Sequence, residues 1–330
     1  MKVLIMTARA RAEKFYDLST LPKDWELVFA GSFPTPAAVR ALGADADFIF
    51  ADAVSRIDAE LMDAMPRLRL IHSEGVGYNG IDIEAAARRG IYVCNHAAAN
   101  SGAVAEHAIL LILALQRRVL EGDAMVRAGE QIHAKERFIL DEIPELGACS
   151  VGLVGFGAIG RETAKRLRGF GCAVYYCNRK KAPAEAESDC GAAYLDFDAL
   201  LGTCDIVSLH LPANAETAGI IGRDALTRFK PGALLINTAR GELIDQEALA
   251  EALAQGRLGG AGLDTLSPEP VRADNPLLRL PDACRYKVLF SPHIGGTTKQ
   301  CFARTHRDVW RNFLDAAAGR KLRNIVNDRA

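Results

Sequence analysis

Three charged side chains in the last third of the chain could together bind and reduce a carbonyl compound. Arg240 follows the apolar run 234–239, Glu269 lies shortly after Asp264, and His293 follows the apolar run 288–291. Because each comes after a predicted strand, we expect all three at the sheet edge where α/β proteins bind ligands. A guanidinium at that edge can bind a carboxylate in bidentate fashion and polarise a neighbouring ketone.

His293 and Glu269 form a candidate proton-transfer pair. A carboxylate beside an imidazole favours the protonated ring near neutral pH. An imidazolium can give its proton to a ketone oxygen as a hydride reaches the carbon, and can take it back in the reverse reaction. The other histidines lack such a setting and are interpreted as structural: His72, His96, His107, His133, His210 and His306.

A glycine-rich turn separates a predicted strand from a predicted helix, in the order Ser150–Val154, Gly155-Phe-Gly157-Ala-Ile-Gly160, Arg161–Leu167. This order is typical of dinucleotide-binding sites. Gly155 is expected to form the tight turn, Gly157 to let the backbone approach a pyrophosphate, and Gly160 to let the helix pack on the strand. N–H groups of the first helical turn, including Ala158 and Ile159, can then bind the phosphates.

The end of the next predicted strand, 173–177, bears on the choice between NAD(H) and NADP(H). In NAD sites an acidic residue about 20 residues past the glycines binds the ribose 2′-OH. Here Asn178 stands at that place, followed by Arg179, Lys180 and Lys181. Three cations without a carboxylate favour the 2′-phosphate of NADP(H), with NAD(H) as the alternative.

The composition is that of a globular chain of roughly two domains. Its 330 residues carry a net charge of −1 with both signs interspersed, which argues against nucleic acid or an anionic membrane as partner. The eight cysteines have no C-x-x-C spacing, so reduced and buried thiols are expected in place of disulfides or a metal site. No apolar run resembles a signal peptide or reaches the roughly 18 residues of a membrane span, which predicts a cytoplasmic protein.

Short apolar runs alternate with helical patterns along both halves of the chain. In the first hundred residues the predicted strands are 2–7, 26–30, 47–51, 68–73 and 91–94, with helices 57–65 and 81–89. A long helix, apolar on all faces and so buried or against another subunit, is predicted from Asn100 to about Val119, followed by an irregular stretch to Pro144. The later predicted strands are 150–154, 173–177, 205–211, 233–238, 260–264 and 288–291, with a last helix over 299–318. This alternation predicts an α/β protein with doubly wound parallel sheets.

Taken in order, these segments resemble the D-isomer-specific 2-hydroxyacid dehydrogenase family over nearly the whole chain. The matching segments are Gly75–Gly77, Asn100–His107, Gly155–Gly160, Ser208–Pro212, Asn237–Glu242, Asp264 with Glu269-Pro270, and Pro292–Gly296. The resemblance implies that Arg240 binds the substrate carboxylate, that His293 is the acid/base, and that Glu269 holds its charge state. The implied substrate contacts are Gly75, Val76, Gly77, Asn100 and Arg240.

The resemblance also implies a cofactor site and a domain plan. Its implied cofactor contacts are Gly155, Gly157, Ala158, Ile159, Gly160, Asn178, Arg179, Lys180, Pro212, Thr238, Ala239, Arg240 and Asp264. A Rossmann cofactor domain, 100–296, would be inserted into a flavodoxin-like substrate domain, 1–99 with 297–330, around an active-site cleft. A homodimer built through the helix after Asn100 is implied as well.

The predicted activity is the reduction of a small 2-oxo acid, such as glyoxylate or hydroxypyruvate, to a D-2-hydroxy acid with NAD(P)H and without a metal. Asn178 stands where most of the family has Asp, as in its NADP(H)-preferring reductases. Two alternatives stay open. One is a formate- or phosphite-type dehydrogenase, although formate enzymes carry Gln where this chain has Glu269. The other is a dinucleotide-binding corepressor-type scaffold.

Overall fold

The computed structural model describes residues 1–32, 34–52 and 55–327. The chain forms two compact units, Met1–Asn100 with Thr297–Ala330, and Ser101–Gly296. Each contains one parallel sheet with helices, so the predicted α/β class is confirmed. Residues 33, 53, 54 and 328–330, which belong to the predicted substrate domain, lie outside the described residues.

The first unit is built on a five-stranded sheet. Its strands are β1 (Lys2–Ile5), β2 (Glu26–Phe29), β3 (Phe48–Ala51), β4 (Leu70–Ser73) and β5 (Tyr92–Cys94). They are all parallel and follow the order β2-β1-β3-β4-β5, which is the flavodoxin-like order. The helices of this unit are α1 (Arg9–Phe15), α2 (Pro36–Gly43), α3 (Ala59–Asp63), α4 (Ile83–Arg88) and α13 (Lys299–Ala317).

Helix α13 covers one face of this sheet. Its Trp310 and Phe313 are fully buried, and the Phe313 ring stacks on Phe48 with 5.1 Å between centroids. The Phe50 ring packs edge-on against the rings of Trp310 and Phe313. Each buried aromatic removes a large apolar area from water, so this cluster ties the end of the chain to the first hundred residues.

The second unit is built on a seven-stranded sheet. Its strands are β6 (Ser150–Val154), β7 (Ala173–Cys177), β8 (Ala192–Tyr194), β9 (Ile206–Leu209), β10 (Leu234–Asn237), β11 (Gly260–Leu263) and β12 (Val288–Phe290). All are parallel, in the order β12-β11-β10-β9-β6-β7-β8. The direction of winding reverses at β6 and β9, and ligands bind at such switch points beyond the carboxyl ends of the strands.

The helices of the second unit are α5 (Ser101–Gln116), α6 (Val119–Arg127), α7 (Gln131–Leu140), α8 (Ala158–Gly169), α9 (Ala184–Cys190), α10 (Phe197–Thr203), α11 (Arg223–Arg228) and α12 (Gln246–Ala254). Helix α5 packs on β10, β11 and α8. Its Leu111 approaches so closely that a Cβ at Gly262 of β11 would lie 3.0 Å from the Leu111 Cβ. The predicted burial of α5 is therefore confirmed for this face, whereas the adjacent Leu110 is 57% exposed.

The irregular stretch predicted up to Pro144 is wrong, because helices α6 and α7 occupy most of it. Surface ion pairs stabilise them, including Arg127 with Asp123 one turn earlier and Arg137 with Glu121. Their apolar side chains are mostly exposed. The buried apolar face whose periodicity usually identifies a helix in a sequence is therefore weak in α6 and α7. The three-residue strand β8 was also missed, since so short a run carries little periodic signal.

Within the described residues, no helix combines the length and the apolar character needed to cross a membrane.

Candidate active site

The glycine turn joins β6 to α8 with a backbone that explains its composition. Gly155 has φ +101°, a left-handed conformation that favours glycine, and a Cβ there would lie 2.6 Å from the His210 carbonyl oxygen. A Cβ at Gly160 would lie 2.3 Å from the Gly155 carbonyl oxygen, so the helix start fits against the turn only with glycine. Both constraints match the expectations for these two positions.

The start of α8 fits a phosphate group. Gly157 is the N-cap, no side chain caps the helix, and a Cβ at Gly157 would meet nothing within 4 Å. Among the described residues, the first N–H groups of the helix, from Ala158 to Gly160, have no capping side chain as acceptor, and the space at Gly157 is open. Such N–H groups and the positive end of the helix dipole suit the pyrophosphate of a dinucleotide.

The basic segment at the end of β7 is exposed. Asn178, Arg179 and Lys180 follow the strand next to β6, beyond its carboxyl end. The Arg179 guanidinium lies 3.2 Å from a carboxylate oxygen of Glu216, and both side chains are largely exposed. Exposed pairs of this kind contribute little to stability and can be displaced by a competing anion.

The turn after β10 holds Arg240. The Asn237 side chain donates to the Arg240 carbonyl oxygen and accepts from the Ala239 N–H, at 2.8 and 3.0 Å. Thr238 is buried, and its Oγ1 has no hydrogen-bond partner in the described part of the chain. Burial lowers the pKa of Arg240, while the nearby carboxylates of Glu242 and Glu269 act in the opposite direction. A partly buried guanidinium near two carboxylates remains a cation that can bind an anionic ligand.

Glu269 and His293 are in direct contact. The His293 Nδ1 atom lies 2.7 and 2.9 Å from the two carboxylate oxygens of Glu269. A carboxylate only accepts hydrogen bonds, so Nδ1 carries a hydrogen and Nε2 is the nitrogen available for proton exchange. The predicted pairing of these two side chains is therefore present.

The turns after β10, β11 and β12 lie side by side, because these strands are neighbours in the sheet. A Cβ at Gly241 would lie 2.2 Å from the main-chain carbon of Leu266, which brings the Arg240 turn against the loop leading to Glu269. Arg240, Glu269 and His293 thus share one edge of the sheet, as the sequence predicted.

His293 occupies a strained backbone conformation. Its φ of +54° lies in the left-handed region, which costs a non-glycine residue about 1–3 kcal/mol and persists only when the surroundings hold it. The holding groups belong to Asp264, whose carboxylate accepts the N–H groups of Ile294 and Gly295 at 2.9 and 2.8 Å. The His293 N–H also donates to the Asp264 carbonyl oxygen at 2.9 Å.

Two further side chains complete what we call the Asp264 cluster: Asp264, Ser291, His107 and the N–H groups of Ile294 and Gly295. The Ser291 hydroxyl donates to Asp264 Oδ1 at 2.5 Å, and His107 Nε2 lies 2.7 Å from that hydroxyl. Asp264 is 2% exposed. Burial would raise the pKa of Asp264, but the hydrogen bonds from His107, Ser291 and the two N–H groups outweigh it and lower this pKa to about 2. Sequence reasoning missed Ser291, and the Glu106-His107 match was the only signal for His107.

The predicted substrate residues of the first unit lie in the loop after β4 and at the end of the 95–100 segment. The Ser73 hydroxyl donates to the Gly77 carbonyl oxygen at 2.6 Å, and the Asn95 amide donates to that of Val76 at 2.8 Å. The Asn100 Oδ1 atom is buried without a hydrogen-bond partner in the described segments. Hydrogen bonds within the first unit therefore hold the loop after β4 in place.

Of the histidines interpreted as structural, His72, His96 and His306 are buried, whereas His107 and His210 are half-buried. His72 and His210 lie at the ends of their strands, and desolvation lowers the pKa of each to about 4. His306 Nε2 lies 2.9 Å from a carboxylate oxygen of Glu74. His133 is exposed. No group of three or more His, Cys, Asp or Glu side chains within residues 1–32, 34–52 and 55–327 could hold a metal ion.

Comparison with known proteins identifies the family. Residues 109–295 match the model of the D-isomer specific 2-hydroxyacid dehydrogenase, NAD binding domain. The chain belongs to the D-isomer-specific 2-hydroxyacid dehydrogenase family. It is an oxidoreductase that interconverts 2-oxo and 2-hydroxy acids with a nicotinamide cofactor, as the sequence predicted.

Individual members of this dehydrogenase family resemble the whole chain. A glyoxylate reductase of Thermococcus litoralis is 37% identical over 319 residues, which cover 96% of this chain and 92% of that protein. The crystal structure of a glyoxylate reductase from Paecilomyes thermophila superposes with a TM-score of 0.82 and 31% identity, covering 99% of this chain and 98% of that one. A D-3-phosphoglycerate dehydrogenase of Mycobacterium leprae is 38% identical over 86% of this chain but only 51% of its own length. The chain thus spans about half the length of that relative.

We predict that Asp264 stabilises the dehydrogenase above pH 4 and loses this effect as the pH falls. Its folded-state pKa, about 2, lies below the ordinary aspartate value of 3.8, so the unfolded chain binds the proton first on acidification. Asp264→Asn should lower the free energy of unfolding by about 2 kcal/mol at pH 7, and about half of this gap should remain at pH 3.

Urea unfolding of the cofactor-free protein at pH 7, 5, 4 and 3 measures this gap. Asp274→Asn is the matched control, because Asp274 is exposed and pairs with the exposed Arg272. A gap of equal size at all four pH values would contradict the assignment.

Proposed function

We propose that the enzyme reduces a small, glyoxylate- or hydroxypyruvate-like 2-oxo acid to a D-2-hydroxy acid, with NADPH as the favoured reductant. The observation that carries this proposal is the His293–Glu269 contact at the sheet edge that also holds Arg240. The glyoxylate reductase of Thermococcus litoralis, similar over nearly its whole length, supports the choice of a small oxo acid.

Each of the three side chains has a distinct task in this mechanism. Arg240 binds the substrate carboxylate and orients the keto group, because its half-buried guanidinium is a cation with paired N–H donors. Glu269 holds His293 through Nδ1 and stabilises the imidazolium. When bound, the reduced nicotinamide supplies a hydride to the keto carbon. His293 gives the Nε2 proton to the keto oxygen, which yields the hydroxyl group and leaves a neutral imidazole.

The remaining site residues are proposed as binding contacts. Gly75, Val76, Gly77 and Asn100 are substrate contacts, supported by the ordered loop after β4 and the unpartnered Asn100 oxygen. The cofactor contacts begin with the pyrophosphate site, supported by the open space at Gly157. Thr238, Ala239 and Asp264 border the nicotinamide, and Pro212 borders the adenosine half.

We predict that His293→Ala lowers kcat/KM for glyoxylate reduction roughly 10²–10⁴-fold, the usual contribution of a positioned acid or base. The dissociation constant of NADPH should change little, because Nε2 acts on the substrate. Steady-state kinetics and a fluorescence titration measure the two quantities. His133→Ala, at an exposed histidine, is the control. Full activity of His293→Ala would remove this residue from the mechanism.

The cofactor preference is proposed on the segment Asn178–Lys180. A neutral amide followed by exposed cations suits a 2′-phosphate, and Arg179 reaches it by leaving its exposed contact with Glu216. A carboxylate at position 178 would instead accept a ribose 2′-OH and repel the phosphate.

We predict that Asn178→Asp with Arg179→Ala reverses the NADPH-to-NADH ratio of kcat/KM, with a loss for NADPH of about tenfold or more from the removed charged hydrogen bond. Arg223→Ala removes another exposed, carboxylate-paired arginine elsewhere in the unit and should leave the ratio unchanged. If the double variant keeps the wild-type ratio, this segment does not recognise the phosphate.

A homodimer and a cytoplasmic location complete the proposal. Large apolar side chains are exposed along α5–α7, which is typical of an interaction surface; they are Leu110, Val119, Leu120, Val126, Ile132, Ile139 and Leu140. Ile132 and Leu140 are the most exposed, at 68% and 80%. The eight free cysteines suit a reducing compartment.

We predict that Ile132→Asp with Leu140→Asp converts the dimer into monomers in sedimentation velocity, because burial of two charges in an apolar interface is unfavourable. Leu278→Asp places a charge at an exposed leucine outside α5–α7 and should leave the dimer intact. A dimeric double variant would show that another surface carries the association.

A further inference from the structure

We propose that His107 is a positioning residue for the acid/base His293. It fixes the hydrogen-bond direction of the Asp264 cluster from helix α5 and so holds the turn on which His293 lies. This inference rests on the proposed role of His293. None of the observations below depends on the identity of the oxo acid.

The direction of each hydrogen bond in the cluster follows from the charge of Asp264. This residue is a carboxylate at neutral pH, so it can only accept hydrogen bonds. Ser291 therefore donates its single hydroxyl hydrogen to Asp264 Oδ1, at 2.5 Å. The Ser291 oxygen must then accept from His107 Nε2, at 2.7 Å, which requires a hydrogen on that nitrogen.

The hydrogen bonds thus run from His107 to Ser291 to Asp264. Both the neutral Nε2–H tautomer and the imidazolium of His107 supply this donor. This series of hydrogen bonds therefore does not depend on the charge of the ring. His107 Nε2 also lies 3.3 Å from Asp264 Oδ1, the oxygen that accepts the Ser291 hydrogen bond. A donor at this point prevents Ser291 from rotating away from Asp264.

The Asp264 carboxylate passes this constraint to the main chain around His293. Its two oxygens accept the N–H groups of Ile294 and Gly295, the two residues that follow the strained φ of His293. A Cβ at Gly295 would lie 3.0 Å from Asp264 Oδ2 and 3.6 Å from the His107 ring, so the turn packs against both side chains. A rotation of the carboxylate would therefore displace the His293 backbone and change the contact with Glu269.

The location of His107 on α5 gives this contact a functional consequence. Helix α5 packs on α8, which begins at the glycine turn proposed for the pyrophosphate, and on β10, which leads to Arg240. Through His107, the same helix fixes the turn of the proton donor. We therefore infer that His107 keeps the proton donor in register with the cofactor and the carboxylate-binding arginine.

The experiment compares two substitutions of His107 in the full-length protein, with glyoxylate and NADPH as the probes. His107→Leu removes the donor, whereas His107→Gln keeps an amide N–H near the position of Nε2. For His107→Leu we expect kcat to fall about 10- to 100-fold, as expected for a misplacement of about 1 Å. KM for glyoxylate and the dissociation constant of NADPH should stay close to wild type. His107→Gln should recover most of kcat.

Two readouts separate positioning from a general loss of structure. The D₂O kinetic isotope effect on kcat should rise in His107→Leu, because proton transfer from a misplaced His293 becomes slower. In ¹⁵N-histidine spectra the His293 signal, assigned with His293→Ala, should move in His107→Leu and return in His107→Gln. Glu106→Gln, a change at the neighbouring exposed residue of α5, is the control and should alter neither readout.

Wild-type kcat in His107→Leu, an unmoved His293 signal, or equal impairment of the Leu and Gln variants would each overturn the proposal. If His107→Leu does not fold, Ser291→Ala is tested by the same criteria, because it removes the hydrogen bond between Ser291 and Asp264. If neither variant folds, His107 has a purely structural role and the proposal is rejected. The spectra also distinguish the two levels of inference. If the His293 signal moves but His293→Ala retains activity, the proposed function fails while the positioning contact stands.

Discussion

The carboxylate of Asp264 is the interaction on which the candidate active site depends. It accepts three hydrogen bonds from the end of β12 and the turn that follows, and His107 Nε2 of helix α5 lies 3.3 Å from the same carboxylate. A buried anion without such donors would be costly, and the donors outweigh that cost because they bind its charged form. The same bonds hold His293 in a backbone conformation that it would otherwise leave.

The three charged side chains at this edge are compatible because they balance one another. Burial lowers the pKa of Arg240, and the carboxylates of Glu242 and Glu269 oppose that effect in part. Glu269 in turn uses both oxygens on His293. One carboxylate thus orients the imidazole and also contributes to the field at the guanidinium, so the site can bind an anion and still hold a proton donor.

The parallel sheet brings the residues of this site together. Neighbouring parallel strands end at one edge, so residues that are 24 to 29 positions apart in the chain meet in adjacent turns. Glycines at 155, 160 and 241 then let backbone segments approach more closely than any side chain would allow. Helix α5 packs on β10, β11 and β12, and its exposed Leu110 belongs to the apolar side chains of the proposed dimer surface.

The sequence by itself determined most of the strands and their alternation with helices, the glycine turn, the family and the edge that gathers Arg240, Glu269 and His293. These features depend on local patterns and on the general rule for parallel sheets, so spacing and residue type suffice. Helices α6 and α7 escaped prediction because their apolar side chains face outward, where no periodic core pattern marks them. Only the tertiary structure decided that His107, nearly two hundred residues from Ser291, meets it at hydrogen-bonding distance. That contact depends on how a helix packs across two strands, and no local sequence signal encodes such a geometry.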